Sequence, residues 1–416
     1  MESWTPKHPT DSNLKDREVV LESQNLLGKK IAFLVSGGIA AYKAPLVIRE
    51  LRRHGAQVIV YTSTDALRFV AKDALEWASL NPVVTELSAR AEHLEDESPF
   101  SAYLVAPATY NIINKMRYGV ADSALSVTLA AAIGRLEKNE SAVLLSPSMN
   151  GRLYNSIVHE SLNFLRDKGV LLIPPRDEGG KHNQPDEKTI AAYVCAAISQ
   201  SRLKNKKVLV TGGPTSTRID SVRRLTNKFT GKLAIEIAKE LSFRGANVQL
   251  VLGKGSLESP SFLRAKVVSD YDEYKDFVLS YVKDERPEIG VFSAAVADYK
   301  PREYFPGKIP SGTMRAIELV GTEKVIDLAR EISPEMKMVS FKYQENMTHE
   351  ELIRIGHARL ARGHAAVVVN RGEEVTDSGE QVAHLLTAKT EARLSTKKGI
   401  ACGIVDFLEC ESAVRS

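Results

Sequence analysis

One supersecondary pattern occurs twice in this chain and constrains the fold more than any other feature. From Lys29 the residues KKIAFLVSGGIAAYKAPLVIRELRRHGAQVIVYTS read as an apolar strand, a glycine-containing turn, an amphipathic helix and a second strand. The same order returns from Lys206 in KKVLVTGGPTSTRID and GKLAIEIAKELSFRGANVQLVLGKG. Strands that alternate with helices favour parallel sheets, so the sequence predicts an α/β protein with two doubly wound Rossmann-like domains.

A polar stretch at residues 199–207 separates the two patterns and predicts a linker. We expect a loose, polar N-terminal extension over residues 1–27, one domain over residues 28–203 and another over residues 204–416. The length of 416 residues fits two or three domains, each large enough for its own core. The extension lacks an apolar core and a small-residue cleavage site, so no targeting role is expected.

Composition argues against several classes of function. The 43% hydrophobic and 26% charged residues are typical of a globular protein, and no apolar run reaches the roughly 20 residues that span a bilayer. The net charge of +4 is spread along the chain, which argues against nucleic acid as a partner. Cys195, Cys402 and Cys410 are too few for a disulfide framework and lack C-x-x-C spacing, which indicates a reducing cytoplasm.

The first half carries a candidate phosphate site between its first strand and first helix. In the turn Ser36-Gly37-Gly38-Ile39, backbone N–H groups and the helix dipole favour an anion, and Thr62 and Ser63 end the next strand. The alternative is that small residues only pack the helix closely and that Ser and Thr cap loops. Three further motifs follow in order: APATYN at 106–111, ADSALS at 121–126 and PSMN at 147–150.

Together these motifs resemble the flavin-containing cysteine decarboxylases, specifically the phosphopantothenoylcysteine decarboxylases, over about residues 28–175. The resemblance implies that His93, thirteen residues before Ala106, assists oxidation of a substrate thiol, although a lone histidine is more often structural. Neighbouring acidic residues, Glu92 and residues 95–97, would favour its imidazolium form. Asn150 would grip the substrate, since an amide both donates and accepts. The implied FMN contacts are Ser36, Gly37, Gly38, Ile39, Thr62, Ser63, Ala106, Pro107, Ala108, Thr109 and Ser126.

The sequence departs from that family where the final proton is delivered. Family members carry a cysteine that protonates the enethiol, but the corresponding segment here, PPRDEGGKHNQPDEKTI from Pro174, contains none. Cys195 lies in an apolar helix pattern and is expected to be buried packing. Lys181 and His182 remain candidate proton donors on position alone, and Ser123 replaces the usual Asn of the ADN motif. Flavin binding is therefore expected, with decarboxylation either complete or impaired.

The second half carries denser motifs, in the order VTGGPTSTRIDSVRRLTNKFTGK, SAAVADYKP, GKIPSG, SFKYQ and VVVN. Joining a carboxylate to an amine needs a leaving group, which a nucleoside triphosphate supplies by forming an acyl-nucleotide and releasing pyrophosphate. The Gly212-Gly213 turn supplies backbone donors for phosphates, and Arg218, Arg223, Lys232 and Lys308 supply positive charge. Asp298 is expected to bind magnesium, which prefers carboxylate and phosphate oxygens; the alternative is a turn cap.

These motifs resemble the phosphopantothenate–cysteine ligases over about residues 205–408. The resemblance implies that Asn227 holds the acyl-nucleotide, where its amide donates to the acyl oxygen as charge develops. Lys308 matches a mobile-loop lysine that helps to seal the intermediate from water, against the alternative of a solvated loop residue. The implied nucleotide and substrate contacts are Gly212, Gly213, Arg223, Lys232, Ala295, Asp298, Lys308, Phe341, Lys342 and Asn370.

The resemblances together imply two steps of coenzyme A biosynthesis. 4′-Phosphopantothenate would be joined to cysteine with Mg²⁺ and CTP (or ATP), and the product decarboxylated with FMN to phosphopantetheine. They further imply a homo-oligomer, with trimeric flavin domains and dimeric ligase domains. One alternative is a ligase whose flavin domain is a non-catalytic oligomerisation or regulatory module. A dinucleotide oxidoreductase is disfavoured because no G-x-G-x-x-G motif opens the helix.

Overall fold

Buried apolar strands form the centre of each half of the chain in this computed structural model. The structure describes residues 5, 8, 12–94, 98–312 and 316–412. The chain divides into two compact units, Met1–Ile198 and Ser199–Ser416. This division falls within the polar stretch that the sequence predicts as a linker.

The first unit contains a five-stranded parallel sheet and a separate three-stranded antiparallel sheet. Its strands are β1 (Lys30–Val35), β2 (Gln57–Thr62), β3 (Ala102–Ala108), β4 (Ala142–Pro147), β5 (Met149–Asn150), β6 (Leu171–Leu172), β7 (Arg176–Glu178) and β8 (Lys181–Asn183). Its α-helices are α1 (Ala44–Arg53), α2 (Lys72–Ser79), α3 (Tyr110–Tyr118), α4 (Ala124–Glu137), α5 (Ser156–Asp167) and α6 (Glu187–Ile198). Short 3-10 helices cover Ile39–Lys43, Ala66–Arg68 and Gly151–Leu153.

The parallel sheet of the first unit has the strand order β2-β1-β3-β4-β6. The chain leaves β1 towards β2 on one side and later adds β3 on the other, so the direction of winding reverses between β1 and β3. In open α/β sheets a ligand crevice opens beyond the carboxyl ends of the strands at such a reversal. The predicted turn after β1 and the APAT motif at the end of β3 both lie there.

Part of the predicted N-terminal extension packs against the end of α1, contrary to the expectation that it is loose. The Glu22 amide donates to the Arg53 carbonyl (2.7 Å) and the Leu26 amide to the His54 carbonyl (2.8 Å). The last carbonyls of a helix have no partner within the helix, so a neighbouring segment can supply donors. Leu26 is fully buried, which adds an apolar contact.

The second unit is built on one eight-stranded sheet and two short strand pairs. Its strands are β9 (Lys207–Gly212), β10 (Thr217–Arg218), β11 (Arg224–Leu225), β12 (Asn247–Gly253), β13 (Arg264–Val268), β14 (Ile289–Phe292), β15 (Tyr299–Pro301), β16 (Leu319–Gly321), β17 (Lys337–Gln344), β18 (Ala366–Arg371), β19 (Val382–Leu386) and β20 (Glu391–Ser395). Its helices are α7 (Lys232–Phe243), α8 (Tyr271–Glu285), α9 (Val325–Ile332), α10 (His349–Leu360) and α11 (Lys397–Glu411).

The large sheet has the order β13-β12-β9-β14-β17-β18-β19-β20, parallel up to β18 and antiparallel for the last two strands. Apolar clusters cover both faces: one includes Ile237 of α7 and Ile404 of α11, the other Tyr274 of α8 and Ala329 of α9. The winding reverses between β9 and β14. The doubly wound α/β prediction is confirmed, and the antiparallel edge of β19 and β20 is an addition to it.

Capping residues and cysteines agree with simple sequence rules. Ser123, which replaces the usual Asn of the family motif, is the N-cap of α4 and accepts from the Ser126 amide, a role that Asn and Ser both favour. Cys195 is 1% exposed, as predicted, and no disulfide joins the three cysteines. Within the described ranges, no helix has the length and apolar character needed to cross a membrane.

Candidate active sites in the two units

In the first unit, the turn after β1 is tied directly to the start of α3. Ser36 is 2% exposed, and its hydroxyl donates to the Pro107 carbonyl (2.6 Å) and contacts Thr109 Oγ1 at 3.0 Å. The Thr109 amide in turn donates to Ser36 Oγ (3.3 Å). Two motifs far apart in the sequence are thus joined at the reversal of the sheet. Ala106 and Ala108 have fully buried side chains, so only their backbone is available to a ligand.

The glycines of this turn are needed for close packing. A Cβ atom at Gly37 would lie 2.5 Å from Asp65 Cβ, and one at Gly38 would lie 2.8 Å from Thr109 Cγ2. Both distances are shorter than side chains allow, so the turn remains free of side chains until Ile39, which is 71% exposed. A turn of this kind lets a ligand approach the backbone closely.

Three other predicted flavin contacts have local hydrogen bonds. Thr62 is 1% exposed, with its hydroxyl 3.3 Å from the Ser63 carbonyl, and Ser63 Oγ accepts from the Ala66 amide (3.2 Å). Ser126 Oγ accepts from the Ser123 amide (2.9 Å) as part of the cap of α4. The alternative role of Ser and Thr as caps therefore describes Ser63 and Ser126 in this structure.

Replacing Gly37 by Ala is expected to lower the flavin content of the purified protein several-fold. The added methyl group overlaps Asp65 and must displace the turn that is predicted to bind the flavin phosphate. Gly134→Ala is the matched control, because a Cβ atom at Gly134 in α4 meets nothing within 4 Å and Ala favours a helix. The ratio of flavin absorbance to protein absorbance measures the flavin content of both variants. Equal flavin content in the two variants would contradict this role of the turn.

His93 lies in a turn and has one buried, unsatisfied nitrogen. Its Nδ1 atom has no hydrogen-bond partner among the described residues. The Glu92 carboxylate accepts from Ser88 N (2.9 Å) and Ser88 Oγ (2.5 Å), and the other predicted acidic neighbours, residues 95–97, lie outside the described residues. A buried polar atom without a partner is costly, so this nitrogen suits a ligand that supplies the missing hydrogen bond.

The segment without the family cysteine forms a hairpin beside Asn150. Strands β7 and β8 are joined by Gly179 and Gly180, whose φ angles of +59° and +69° suit a two-residue hairpin turn. Strand β8 also pairs with β5, which places Lys181 opposite Asn150 and His182 opposite Met149. The Gly-Gly pair between short polar runs is the sequence signal from which this hairpin could have been predicted.

His182 belongs to a small polar cluster that sequence reasoning did not identify. Its Nδ1 atom lies 2.5 Å from Asp177 Oδ1, and its ring contacts the ring of Tyr154 with centroids 4.6 Å apart. Asn150, which is exposed, accepts from the Arg152 amide (3.0 Å) and begins the turn that leads to Tyr154. The carboxylate holds the imidazole in one orientation and leaves Nε2 for another contact.

Gln184, just after β8, was not predicted as a site residue from the sequence. It is 1% exposed, and neither atom of its side-chain amide has a hydrogen-bond partner among the described residues. The backbone carbonyl oxygen of Gln184 accepts from Lys43 Nζ (3.5 Å), and Lys43 lies at the end of the 3-10 helix that follows the glycine turn. The unsatisfied amide and the glycine turn are thus parts of one region, which fits a polar cofactor.

In the second unit, the turns after β9 and β14 are joined at the reversal of the large sheet. The Ala295 amide donates to the Gly213 carbonyl (2.9 Å), and the Thr215 amide donates to the Ala295 carbonyl (3.2 Å). A Cβ atom at Gly212 would lie 2.1 Å from Ala234 Cβ of α7, and Gly213 has a φ of +74°. These glycines let the first turn of α7 approach the end of β9.

Asn227 connects its loop to the same place. Its amide nitrogen donates to the Ala295 carbonyl (2.7 Å), and its amide oxygen accepts from the Phe229 amide (3.2 Å). A side-chain amide nitrogen carries two N–H groups, so one donor remains for a substrate oxygen. Asn227, Ala295 and Gly213, all predicted from the sequence, are therefore brought together by direct hydrogen bonds.

Asp220 anchors the loop that carries Lys308. This carboxylate is 2% exposed and accepts from the Ile309 amide (3.0 Å), the Arg223 amide (2.6 Å) and Arg223 Nη1 (2.6 Å). Burial alone would raise the pKa of Asp220, but the N–H donors of Arg223, Ile309 and Val222 outweigh it and hold the pKa below its usual range. Lys308 itself is exposed beside this anchor. This role of Asp220 was not predicted from the sequence.

Positive charge gathers around Asp298 and the end of β17. Burial lowers the pKa of the Lys342 ammonium, as do the positive charges of Arg359 and Lys324, while the Asp298 carboxylate opposes them. Asp298 is exposed and forms an ion pair with Lys324. Arg359 Nη1 donates to the Phe341 carbonyl (2.9 Å). Three cations around one carboxylate suit a polyphosphate, and Lys324 and Arg359 were missed from the sequence.

The remaining predicted residues of this unit have other surroundings. Arg218 forms an ion pair with Asp270 at the N-cap of α8 (Nε to Oδ2, 2.8 Å), and its side chain is 55% exposed. Arg223 is held by Asp220, as described above. Lys232 is exposed at the first residue of α7, and Asn370 is 8% exposed near the carboxyl end of β18.

Two protein families match the two units of the chain. The family model of the flavoproteins matches residues 19–199, and that of the DNA/pantothenate metabolism flavoprotein C-terminal domain matches residues 203–410. The chain is 33% identical to the coenzyme A biosynthesis bifunctional protein CoaBC of Thermococcus kodakarensis, over 93% of this chain and 96% of that protein. The CoaBC protein of Escherichia coli is 33% identical over 71% of this chain and 74% of its own length.

The chain belongs to this family of bifunctional coenzyme A biosynthesis proteins, which combine a flavoprotein decarboxylase domain with a ligase domain. A CoaBC protein of Methanocaldococcus jannaschii is 28% identical over 87% of both chains. A solved C-terminal domain of CoaBC is 24% identical, with a TM-score of 0.43, and covers 51% of this chain and 98% of the solved one.

Proposed function

We propose that residues 204–416 join phosphopantothenate to cysteine and that residues 28–203 decarboxylate the product to phosphopantetheine. The observation that best supports the ligase is the direct contact of Asn227 with Ala295, at the reversal of the large sheet and beside the Gly213 turn. Family membership supports the overall pair of reactions.

In the proposed ligation, the chain positions a nucleoside triphosphate and keeps its acyl product from water. The backbone donors of the Gly212-Gly213 turn and the cations Lys342, Lys324 and Arg359 would bind phosphates. The remaining N–H of Asn227 would donate to the acyl oxygen as cysteine attacks, where a fixed donor has its largest effect. Lys308, on its anchored loop, would cover the intermediate.

Magnesium fits this arrangement through Asp298. Mg²⁺ commonly binds proteins through one or two carboxylates and otherwise through substrate phosphates, so a single carboxylate is sufficient. The ammonium group of Lys324, which pairs with Asp298 in this structure, would then bind a phosphate oxygen instead. CTP is the nucleotide that we propose, because fusion to a decarboxylase-like half is the bacterial and archaeal arrangement.

Asp220→Asn is expected to reduce ligation by up to about 100-fold while flavin content stays unchanged. The amide keeps one acceptor oxygen but replaces the other by an NH2 group, which in either orientation faces N–H donors of Val222, Arg223 or Ile309. The Lys308 loop is therefore displaced, and a misplacement of about 1 Å has costs of this order. Pyrophosphate release measures the effect. Asp276→Asn, at an exposed carboxylate on α8, is the control. Equal rates for both variants would contradict the anchoring role.

In the first unit, the unsatisfied atoms of His93 and Gln184 and the bare Gly37-Gly38 turn support binding of FMN. FMN supplies the oxidation of the substrate thiol and the later return of the hydride. We assign to His93 the polarisation of the thiol and to Asn150 the binding of the substrate. His182, oriented by Asp177, would replace the family cysteine as the donor of the final proton.

The first experiment is one assay of the purified chain with phosphopantothenate, cysteine, Mg²⁺ and either CTP or ATP. Pyrophosphate, CO2 and flavin absorbance are followed together. Pyrophosphate with equal CO2 and recovered flavin absorbance is the expected result. Pyrophosphate without CO2 would favour the alternative of a non-catalytic flavin module. The absence of both products would overturn the proposal.

The proposed enzyme is a homo-oligomer of the cytoplasm. The family resemblance supports trimers through the flavin domain and dimers through the ligase domain, with the flavin at a boundary between copies. A protein that acts on soluble metabolites and has three unbridged cysteines suits a reducing cytoplasm. The molecular mass in solution, measured by light scattering, tests the assembly.

A further inference from the structure

Two histidines and a carboxylate meet at the antiparallel edge of the second unit. His349 is the first residue of α10, His384 lies in β19, and Glu391 is the first residue of β20. Glu391 Oε1 lies 3.2 Å from His384 Nδ1 and 3.3 Å from His349 Nε2. One ligand atom from each residue lies within 4.8 Å of the others. None of these side chains has a part in the proposed ligation.

The two nitrogens of His384 have different surroundings. The residue is 5% exposed, and its Nε2 atom lies 3.0 Å from Glu374 Oε1 in a hydrogen bond. Its Nδ1 atom is buried and has no hydrogen-bond partner among the described residues, although Glu391 is near. An imidazole whose Nε2–H donates to a carboxylate presents a lone pair at Nδ1. Nδ1 is also the nitrogen of His384 that lies near Glu391 Oε1, at 3.2 Å.

We propose that His349 Nε2, His384 Nδ1 and Glu391 Oε1 bind a divalent transition-metal ion of the zinc class. Imidazole nitrogen and carboxylate oxygen are ordinary zinc ligands, with bonds of about 2.0–2.1 Å. In a tetrahedron with such bonds, neighbouring ligand atoms are about 3.4 Å apart. The observed separations of 3.2 and 3.3 Å match two of the three edges among these ligand atoms, and the third, between the two histidine nitrogens, is within 4.8 Å.

Glu374 completes the arrangement from outside the ligand set. Metal-binding histidines usually donate their other N–H group to a carboxylate or carbonyl, which fixes the ring and strengthens the ligand. Glu374 occupies that position for His384 and is itself next to Arg371 (3.5 Å) and Arg393 (3.8 Å). Magnesium would be a poor occupant because it prefers oxygen ligands, which distinguishes this site from the one proposed at Asp298.

The site would keep one coordination position open. The side chains of His349 and Glu391 are 42% and 41% exposed, so solvent reaches one side of the cluster. Three protein ligands with a water molecule are a common zinc arrangement. The ion would connect the start of α10 to strands β19 and β20, and it should therefore raise the thermal stability of this edge.

Cobalt titration of the full chain, after removal of metals with a chelator, tests the site. Tetrahedral Co²⁺ has an intense visible absorption, and Zn²⁺ should displace it. We expect one equivalent in the unmodified chain and loss of this absorption in His349→Ala and Glu391→Gln, which alter partly exposed side chains. Glu374→Gln should weaken binding by about 10- to 100-fold. His357→Ala, at an exposed histidine of the same helix, is the matched control and should bind normally.

Thermal unfolding separates loss of the site from loss of the fold. Zn²⁺ should raise the Tm of the unmodified chain and of His357→Ala but leave that of His349→Ala unchanged, while all three should have similar Tm values without metal. The proposal fails if the unmodified chain gives no tetrahedral Co²⁺ spectrum. It also fails if His349→Ala and Glu391→Gln retain that spectrum at the same stoichiometry, since the ion would then be bound elsewhere.

Discussion

Asn227→Asp should reduce amide formation by about 100- to 1,000-fold, the usual cost of removing one fixed donor to a developing negative charge. The substitution preserves size but replaces the N–H groups with a carboxylate oxygen. That oxygen would face the Ala295 carbonyl, to which the Asn227 amide now donates at 2.7 Å, and would repel the negative charge of an acyl oxygen. Rates of pyrophosphate release and of phosphopantothenoylcysteine formation measure the loss.

The matched control is Asn205→Asp, at an exposed residue of the same unit. Asn205 has a φ of +66°, a conformation that both Asn and Asp tolerate, so the fold should be kept. A full ligation rate in Asn227→Asp would remove Asn227 from the site. A loss in both variants would indicate a general effect of the added charge instead of a lost donor.

His182→Gln should arrest the decarboxylase after CO2 has been released. The variant retains a polar side chain but cannot deliver a proton at neutral pH, so the flavin absorbance should bleach on addition of phosphopantothenoylcysteine and not recover. A single equivalent of CO2 per flavin is expected, with a decrease of at least 100-fold in steady turnover, the scale of proton-transfer catalysis. Stopped-flow absorbance with CO2 detection measures both quantities.

Lys181→Gln distinguishes the two candidate donors of the hairpin. Lys181 lies opposite Asn150 across the β5–β8 pair, whereas His182 lies opposite Met149 and is held by Asp177. Normal turnover in Lys181→Gln together with arrest in His182→Gln is the predicted outcome. The reverse pattern would assign the proton to Lys181, and normal turnover in both would place the donor outside the hairpin.

Much of the fold and part of the candidate sites could be predicted because their causes are local. Alternating apolar segments predicted the parallel strands, and glycines after β1 and β9 marked turns where a Cβ atom at Gly37 or Gly212 would collide with a neighbour. Gly213 and Ala295 follow two neighbouring parallel strands, whose carboxyl ends share one edge of the sheet. Asn227 was implied by the family resemblance alone, and the structure brings it to the same place.

Other contacts could not be predicted because they depend on strand order and register. Asp220 meets Ile309 across a long stretch of sequence, and the buried Asp220 reads locally like any turn carboxylate. The ion pair of Arg218 with Asp270, 52 residues away in the sequence, depends in the same way on the tertiary fold. The packing of Glu22 and Leu26 on the end of α1 likewise needs the two segments to be adjacent in space.

The sequence by itself determined the class of fold, the family and the positions of the glycine turns, since hydrophobic periodicity, glycine sterics and motif order are properties of nearby residues. Only the tertiary structure decided which distant groups meet: Asp220 with Ile309, Lys342 with the charges around Asp298, and His349 with His384 and Glu391. The physical reason is that hydrogen bonds and charge interactions act over a few ångströms, and long-range pairing of strands alone brings such distant residues within that range.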